Sequence, residues 1–332
     1  MSNTRRSLML AGAAATGSAL LNACGGAHAE APGGLALLNA SGGTHAEASL
    51  PYPRVADTSA ATPQLVDLIN GFFAAKTRAD VAGAMAYFSP DLVTYTDAVL
   101  GWDFGYDSLK AAFQQSMPKW PSTAKSYPTR ILGDVKSALV MFTDTPELFG
   151  GEIHLMGAID IQDGKIVRWA DYWDSRGWPN AFGIQKQALP SWHTTALREN
   201  ATPRLRGVVN NLVAAMSAGD SKSAAALFSY DAVYEDMACR AQVVSRSAIE
   251  RYLARAVSAL PNGATSSLRH AVGADAGGGF EWIGAQGSPV AAGITALVLD
   301  AEGAITRATT MYDGGLFGAG RLQSLAALAL EP

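Results

Sequence analysis

The sequence predicts an α+β protein built from two similar units, and three observations support this prediction. The run Ala61–Leu65 recurs with one substitution as Ala201–Leu205, which indicates an internal repeat. In each copy, helical periodicity comes first and strand-forming runs follow. Near the end of each copy, an Asp-Gly step at 163–164 or a Glu-Gly step at 302–303 separates two β-rich runs, as in a hairpin. Helices followed by strands favour an antiparallel sheet over alternating βαβ units.

The first helix of each copy is predicted by its cap and its apolar stripe. Thr62 and Thr202 stand at the N-cap position, and a proline follows each at the first helical position. Apolar residues then recur at helical spacing, which places them on one buried face. They are Leu65, Leu68, Ile69, Phe72 and Phe73 in the first copy, and Leu205, Val208, Val209, Leu212 and Val213 in the second.

The remaining elements of the first copy follow from periodicity and turn residues. We predict helices near residues 63–77, 80–87 and 106–116. We predict strands near residues 92–97, 128–135, 138–144, 152–162 and 165–174. The second copy is expected to repeat this order.

The N-terminus has the pattern of an export signal. Arg5 and Arg6 precede an apolar stretch over residues 8–21 that is too short to span a bilayer, as in a twin-arginine signal. Two processing sites stay open: a lipobox-like sequence at Cys24, which would give a lipid anchor, and a small-x-small site at residues 27–29. We predict an export signal over residues 1–29, a flexible leader over 30–60 and a periplasmic location, either free or as a lipoprotein.

Chain length and the repeat together predict the domain organisation. With 332 residues, of which 48% are apolar, the chain has material for two hydrophobic cores. We predict one domain over 61–175, a linker over 176–200, a degenerate second domain over 201–315 and a C-terminal tail over 316–332. The two domains would form a pseudo-dimer within one chain, and a further homo-oligomer stays open.

Composition and missing motifs disfavour several function classes. The formal net charge is −4 and no Lys/Arg run interrupts the chain, so no nucleic-acid partner is expected. Two cysteines cannot form a disulfide framework. With the signal and leader set aside, the remaining histidines are His154, His193 and His270, so no metal site is expected. The sequence contains no dinucleotide fingerprint, P-loop or nucleophile elbow, and no cofactor is expected.

Two motifs of the first copy resemble a known family. The pattern Phe-x-x-Asp-x-Val-x-Tyr-x-Asp occupies residues 88–97, and the ending Asp-Gly-Lys-Ile-Val-Arg-Trp-Ala-Asp-Tyr-Trp-Asp occupies 163–174. Both resemble the nuclear-transport-factor-2-like, or SnoaL-like, superfamily, well over 61–175 and more faintly over 201–315. The resemblance implies a cone in which a strongly bent antiparallel sheet wraps around about three helices and leaves a deep apolar cavity. It does not specify an activity, because that superfamily includes enzymes of several classes and non-enzymes.

Asp171 is the first candidate for a catalytic residue. Alternate residues of a strand share a face, so Trp169, Asp171 and Trp173 project together, whereas Arg168 and Tyr172 point the other way. A carboxyl group between two tryptophans in an apolar cavity would have a raised pKa, which suits a general acid or base near neutral pH. The alternative is an aspartate that caps the strand end or pairs with an arginine.

Tyr95 and Asp97 are the next candidates, because they share a face of a short predicted strand. A second carboxylate opposite Asp171 would raise one of the two pKa values further. The resemblance to the limonene-epoxide-hydrolase branch of the superfamily places a tyrosine at Tyr95 and an aspartate at Asp171. That branch also has an arginine and an aspartate on a middle strand, where this chain has the apolar run 138–142, so epoxide hydrolysis is disfavoured. The alternative is a structural tyrosine and a turn aspartate.

His154 and a set of aromatic residues complete the predicted site. His154 lies on a predicted strand and would serve as a proton-transfer partner of Asp171, although a lone histidine on a strand is more often a residue in the wall of the sheet. Aromatic side chains would form the rim and walls of the cavity and stack on a ligand, with ordinary core packing as the alternative. These predicted substrate-binding residues are Trp102, Phe104, Tyr106, Phe142, Trp169 and Trp173.

The second copy lacks the central candidates. Thr310 takes the place of Asp171, Tyr312 that of Trp173, and about Gly293 that of His154. The first copy is therefore predicted to carry the chemistry and the second to act as a scaffold. The alternative is a composite pocket to which Glu235, Asp236 or His270 contributes.

The leading functional hypothesis is a cofactor-independent acid–base lyase, dehydratase or isomerase that acts on a hydroxylated aromatic or polycyclic small molecule. The resemblance to diarylpropane lyases suggests one specific case, a lignin-derived diaryl compound that loses formaldehyde or water. The first alternative is an exported, non-catalytic binding module for a hydrophobic ligand. The second is a structural assembly module.

Overall fold

The computed structural model describes residues 50–180, 185–186 and 197–330. The predicted export signal, Cys24, most of the leader, His193 and part of the linker lie outside the described residues. We call residues 50–180 the first half and residues 197–330 the second half. The described chain from Leu50 onward forms one compact unit.

Both halves contain helices and strands. The helices are Pro63–Thr77 (α1), Val81–Met85 (α2), Tyr106–Ser116 (α3), Pro146–Phe149 (α4), Pro203–Ser217 (α5), Ser221–Ala226 (α6), Arg246–Ala256 (α7) and Ala319–Leu328 (α8). The strands of the first half are Asp57–Ala61 (β1), Thr94–Asp97 (β2), Trp102–Phe104 (β3), Ser126–Gly133 (β4), Ser137–Asp144 (β5), Ile153–Gln162 (β6) and Lys165–Trp173 (β7). Those of the second half are Phe228–Asp236 (β8), Ala241–Val244 (β9), Ser267–Ala274 (β10), Gly277–Ile283 (β11), Ala292–Leu299 (β12) and Ile305–Met311 (β13).

The two sheets confirm the predicted α+β class. The first has the order β1-β4-β5-β6-β7-β2-β3 and the second β10-β11-β12-β13-β8-β9. Both sheets are mixed, whereas the sequence predicted antiparallel sheets. The pairs β1–β4, β2–β7 and β8–β13 run parallel. In β2–β7 and β8–β13 the chain passes through four strands and at least one helix before it returns, so no tight hairpin forces these neighbours to run in opposite directions.

The halves share one arrangement of elements. Strands β4 to β7 form an antiparallel meander, as do β10 to β13, and a parallel strand with a hairpin partner extends each meander at its last strand. Helix α5 is the first helix of the second half, as α1 is of the first, and each has proline at its first position. The repeat detected in the sequence therefore corresponds to a repeated topology.

The predicted element boundaries hold best in the first half. Helices α1 and α3 begin and end as predicted, and α2 is shorter than predicted. Four of the elements were not foreseen: β1 lies partly inside the predicted leader, β3 follows β2 directly, the short helix α4 lies between β5 and β6, and α8 occupies most of the predicted tail. Tyr52 is also buried, so the sheet and core of the first half begin before residue 61.

An aromatic cluster fills the interior of the first half. Leu65, Ile69, Phe72 and Phe73 are buried on one face of α1, as their spacing predicts. Trp169 of β7 stands at the centre of this cluster and is 1% exposed. Its ring centroid lies within 6.4 Å of five other ring centroids, those of Phe72, Phe73, Phe88, Tyr95 and Phe142.

The outer faces of the two sheets pack against each other. Small side chains and glycine allow the close approach: a Cβ atom on Gly279 would lie 2.4 Å from Cδ1 of Leu139. The glycines of the Gly277–Gly279 run thus allow the second sheet to pack closely against the first. A buried ion pair crosses the same contact, where Nη2 of Arg168 donates to both carboxylate oxygens of Glu281 at 2.7 and 2.6 Å. His270 lies 2.9 Å from Oδ2 of Asp160 in the same contact.

Candidate active site

Strand β7 carries the centre of the site. Trp169, Asp171 and Trp173 alternate along it and share one face, as predicted, and this is the face that packs against α1. Strand β2 pairs with β7 in parallel, with Tyr95 opposite Trp169 and Asp97 opposite Asp171. This register places the two carboxylates of the site side by side on neighbouring strands.

Both oxygens of Asp171 accept hydrogen bonds inside the protein. The hydroxyl of Tyr95 donates to Oδ2, and Nε1 of Trp169 donates to Oδ1 at 2.5 Å. Asp171 is 2% exposed, and Gly157 of β6 pairs with it across the sheet. A Cβ atom on Gly157 would lie 2.8 Å from Nε1 of Trp169, so this glycine provides the room for the pair.

Burial sets the acidity of Asp171. Desolvation disfavours the carboxylate and raises its pKa to about 7, although the hydrogen bonds from Tyr95 and Trp169 act in the opposite direction. Near neutral pH, Asp171 is therefore divided between its protonated and ionised forms. A carboxyl group in that state can either take or give a proton.

Asp97 is a second acid with altered acidity. Its burial raises its pKa to about 6, against hydrogen bonds from the backbone and from Trp173. Nε1 of Trp173 donates to Oδ2 at 3.1 Å, and the backbone N–H groups of Val99 and Leu100 donate to Oδ1 at 2.9 and 2.8 Å. Asp97 thus also organises the turn after β2, as the structural alternative for this residue anticipated.

Tyr95 acts as a hydrogen-bond donor in this arrangement. Its burial and the neighbouring Asp171 carboxylate raise its pKa well above the usual value, so it keeps its proton. The side chain is only partly buried, in contrast to Asp171. Tyr95 therefore stands between the buried Asp171 and the more exposed part of this face.

Most of the predicted aromatic residues lie on this same face. Trp102 and Phe104 of β3 pair with Asp97 and Tyr95, and their rings are 5.6 Å apart and partly exposed. Tyr106 begins α3 and is partly buried. Phe142, Trp169 and Trp173 are buried. The rim and wall prediction is thus compatible with the placement of these side chains, while Trp169 fills interior space that a cavity would need.

His154 is not brought to this site. It lies on β6 an odd number of residues from Gly157, which pairs with Asp171, so its side chain points to the opposite face of the sheet. The side chain is 55% exposed, and its Nε2 lies 3.1 Å from Oε1 of Glu152. Its Nδ1 lies 3.1 Å from the hydroxyl of Thr143. The predicted partnership with Asp171 has no geometric support.

A buried ion pair near the site was missed in the sequence. Nζ of Lys76 lies 3.1 Å from Oδ1 of Asp144, and Ser126 donates to the same carboxylate. Lys76 also lies over the rings of Phe73 and Phe142, at 5.8 and 5.2 Å from their centroids. Its charge lowers the pKa of Asp171 slightly against the effect of burial. The available signal was a charged residue at the end of an apolar helix stripe.

The second half has a reduced version of the site. Strand pairing places Thr310 opposite Asp236, as it places Asp171 opposite Asp97. Burial raises the pKa of Asp236 to about 6, and the hydroxyl of Tyr312 donates to its Oδ2 at 3.0 Å. The buried hydroxyl of Tyr234, in the position of Tyr95, has no hydrogen-bond partner in the structure as described.

A small cavity lies where the first half has Trp169. Its counterpart by strand register is Ala308, which lines a cavity of about 10 Å³ together with Tyr234 and Asn262. The Oδ1 atom of Asn262 is buried and, like the Tyr234 hydroxyl, unpaired within the described chain. A cavity of this volume holds about one water molecule.

Two further features bear on the predicted absences. Within residues 50–180, 185–186 and 197–330, no group of three or more His, Cys, Asp or Glu side chains is arranged to hold a metal ion. In the same residues, no helix combines the length and apolar character that a membrane crossing requires.

Comparisons with known proteins give structural similarity only. No protein-family model matches the chain, and no curated protein matches its sequence. A solved NTF2-like protein of unknown function from Cytophaga hutchinsonii is 14% identical, with a TM-score of 0.29, and the match covers 34% of this chain and 91% of that protein. Another from Burkholderia xenovorans is 14% identical, with a TM-score of 0.29, and covers 41% of this chain and 94% of that protein. A third, from Burkholderia pseudomallei, is 19% identical, with a TM-score of 0.28, and the match covers 34% of this chain and 93% of that protein.

Proposed function

We propose that this protein is a cofactor-independent acid–base enzyme whose central residue is Asp171. The observation that carries the proposal is a buried carboxyl group with a pKa raised to about 7, held by Tyr95 and beside a second acid, Asp97. Titratable groups with altered acidity on one concave face are typical of catalytic sites, although structural networks alter acidity as well. The substrate class that suits the partly exposed aromatic rim is a hydroxylated aromatic or polycyclic small molecule.

The proposed reaction is a lyase, dehydratase or isomerase step. The Asp171 carboxylate takes a proton from a carbon or hydroxyl of the substrate, and the electron pair of the broken bond forms a new double bond. In a dehydration, the proton comes from a carbon, the C–H electron pair forms the C=C bond, and the neighbouring hydroxyl leaves as water with the proton that Asp171 gives back. In a loss of formaldehyde, the proton comes from a primary hydroxyl, the O–H pair forms the C=O bond of formaldehyde, and the C–C pair forms a C=C bond as the neighbouring hydroxyl leaves as water with the same proton. In an isomerisation, Asp171 returns the proton to another carbon. Tyr95, which keeps its own proton, donates a hydrogen bond to the oxygen on which negative charge develops.

Substrate approach requires a local change at Tyr95. Asp171 is almost fully buried and both of its oxygens are occupied, so a substrate must replace the Tyr95 hydroxyl as a partner of Oδ2. Trp102 and Phe104 lie beside Tyr95 and are partly exposed, which makes them the contacts for an aromatic ring at the entrance.

The test is an NMR turnover assay on the purified full chain without added cofactor. The substrates are hydroxylated mono- and diaryl compounds, hydroxysteroids and terpene alcohols. We expect wild-type turnover of one class and a loss of at least about a hundredfold in Asp171→Asn, since general acid–base groups contribute roughly 10²–10⁴-fold. Asp163→Asn is the matched control, because it makes the same change at an exposed hairpin turn where asparagine suits the positive φ of 52°. Equal turnover in Asp171→Asn and wild type would exclude Asp171 from the mechanism.

A non-catalytic binding module is the second candidate function. It is favoured by the full occupation of the Asp171 oxygens and by the aromatic cluster that fills the interior around Trp169. In the same NMR assay, line broadening of one compound without turnover, equal in wild type and Asp171→Asn, would support this function over the enzyme.

We also propose that the protein is exported, with the two halves as tandem domains of one pseudo-dimer. The proposal of export is supported by Arg5, Arg6 and the apolar stretch after them. Mass spectrometry of the mature N-terminus tests it: an acylated Cys24 indicates a lipoprotein, a free Glu30 indicates cleavage after residue 29, and an intact N-terminus contradicts export.

A further inference from the structure

The two oxygens of Asp171 are held by donors of different mobility. Oδ1 accepts from Nε1 of Trp169 at 2.5 Å, and Oδ2 accepts from the hydroxyl of Tyr95. Trp169 is 1% exposed, whereas Tyr95 is only partly buried and belongs to the four-residue strand β2. A ligand that approaches Asp171 from the exposed part of this face therefore meets Tyr95 and Oδ2, while the indole lies out of its reach.

The indole of Trp169 is fixed by the aromatic cluster around it. Its ring packs against Phe72, Phe73 and Phe142, with centroid distances of 5.1, 6.2 and 6.0 Å. Side chains packed this closely sit in one rotamer. The N–H group of the indole therefore keeps one direction, and the donor to Oδ1 of Asp171 is in place before any ligand binds. A donor held in advance needs no reorganisation when the reaction occurs.

The second half shows the same strand position without the acid. Strand register aligns Thr310 with Asp171 and Ala308 with Trp169. Ala308 lines a cavity of about 10 Å³, so the shared topology accepts a small residue there. The fold itself therefore does not require an indole at this position, and the hydrogen bond to Asp171 gives a reason for the one in the first half.

We propose that Trp169 is a positioning residue for Asp171, and not the substrate-contacting wall that the sequence predicted. Its N–H group fixes Oδ1 and with it the orientation of the carboxyl group, so that Oδ2 is the oxygen that meets the substrate. Because the indole is buried, it acts on the reaction only through Asp171. This role rests on the proposed acid–base function.

The hydrogen bond also acts on the acidity of Asp171. A donor to the carboxylate favours its ionised form, and the bond from Trp169 lowers the pKa of Asp171 against the effect of burial. Loss of the N–H group should therefore raise this pKa above about 7. A base with a higher pKa becomes active at a higher pH, so the acid limb of the pH–rate profile should move upward.

The kinetic test is Trp169→Phe in the full chain, which keeps an aromatic ring but removes the N–H donor. In the NMR turnover assay, we expect kcat to fall about tenfold or more, because a hydrogen bond to a charged group is lost. KM should stay within about twofold, because no substrate contact is lost. The acid limb of kcat/KM should move to higher pH, which a loss of packing alone would not cause.

Trp282→Phe is the matched control in the second half. Its indole is also 1% exposed, and its Nε1 donates to the hydroxyl of Thr295 at 3.2 Å. The substitution therefore removes a buried donor and the same volume of side chain, away from Asp171. We expect kcat, KM and the acid limb to stay at their wild-type values.

NMR titrations examine the same hydrogen bond without a substrate. Carbon NMR of the Asp171 carboxyl should give a higher pKa in Trp169→Phe than in wild type or Trp282→Phe. In wild-type protein with ¹⁵N-labelled tryptophan, one of the seven indole N–H resonances should shift with the titration of Asp171 near pH 7. That shift should disappear in Asp171→Asn. This second titration does not depend on the stability of Trp169→Phe.

Four results would overturn the role of Trp169. They are a raised KM with unchanged kcat in Trp169→Phe, an unchanged acid limb and Asp171 pKa in that variant, equal changes in Trp282→Phe, or no indole resonance that follows Asp171. Absence of wild-type turnover, or turnover that survives in Asp171→Asn, would contradict the proposed function instead. The two NMR titrations would then decide by themselves whether Trp169 holds Asp171.

Discussion

The two halves share one topology and differ most where the first carries Asp171. Tyr95 donates to Asp171. In the second half Thr310 stands in the position of that acid, and among the described residues the hydroxyl of Tyr234 has only Asn262 nearby and no hydrogen bond of good geometry. A buried polar group without a hydrogen bond costs roughly 1–3 kcal/mol. The same strand arrangement thus holds the hydrogen-bonded Asp171 in the first half, and the Tyr234 hydroxyl beside a small cavity in the second.

The difference extends to the packing around that position. The indole of Trp169 both donates to Asp171 and fills the interior, while Ala308 leaves a cavity of about 10 Å³. Gly157 makes room for the indole, and Thr295 takes its place in the second half, where its hydroxyl accepts from Trp282 and donates to Thr310. The hydrogen bond between Trp169 and Asp171 therefore depends on the space that Gly157 leaves for the indole.

The largest effect is expected for Trp169→Ala, which gives the first half the alanine of the second. Loss of a large buried aromatic side chain lowers the free energy of unfolding by about 3–5 kcal/mol. Urea denaturation measures it. Trp178→Ala is the control, because that indole is partly exposed and should lose less. Equal losses would show that Trp169 has no special part in the core.

A smaller effect is expected for Gly157→Ala. The added methyl group would lie 2.8 Å from Nε1 of Trp169 and 3.2 Å from Oδ1 of Asp171, so the indole or the carboxylate must move. Overpacking of this kind costs about 1–3 kcal/mol. Gly207→Ala is the control, since a Cβ atom there meets nothing within 4 Å and α5 should gain stability. Stability of Gly157→Ala at the wild-type level would contradict the tight packing.

The pH dependence of stability should differ between the two halves, because Asp171 and Asp236 have different raised pKa values. Because the folded pKa of Asp171 is raised to about 7, the folded state holds a proton that the unfolded state has released above about pH 4. The stability that this proton gives is complete below pH 4 and is lost as the pH rises to about 7. The expected slope is roughly 1.4 kcal/mol per pH unit at most.

Chemical denaturation between pH 4 and pH 8 measures this slope. Asp171→Asn should flatten it, while Asp236→Asn should flatten only the part up to about pH 6. Asp163→Asn should leave it unchanged. An unaltered slope in Asp171→Asn would show that this carboxyl group has no raised pKa.

The smallest effect is expected for a matched pair of tyrosine substitutions. Tyr95→Phe removes a donor to Asp171, lowers stability by about 1 kcal/mol and raises the pKa of Asp171 further. Tyr234→Phe removes an unpaired buried hydroxyl and should be neutral or slightly stabilising. Urea denaturation and carbon NMR titration of the Asp171 carboxyl test both. Equal losses would show that Tyr234 has a partner, such as a bound water.

The sequence was sufficient for the fold class, for most elements of the first half and for the shared face of Tyr95, Asp97 and Asp171. Strand alternation and helical periodicity are local, so they can be detected without the partner segments. It did not predict the parallel strand pairs or β1, because pairing depends on where distant segments meet. The filled interior around Trp169 was also missed: spacing places an indole on a face but not in a particular volume.

The misplaced role of His154 has a similar cause. Its position on a strand was predicted, but a shift of one residue in register moves a side chain to the other face of a sheet. Lys76 and Asp144 were missed because they come together only when α1 packs across the sheet.

The ion pair between the sheets has a consequence for synthesis of the chain. Glu281 follows Arg168 by 113 residues, and both are buried only when the two sheets have met. A ribosome releases the N-terminal part first, at about 5–20 residues per second. For several seconds, the first half therefore exposes Arg168 with Asp160, 3.6 Å away, as an ion-pair partner but without the Glu281 carboxylate, and this sheet face is covered only when the second half has emerged.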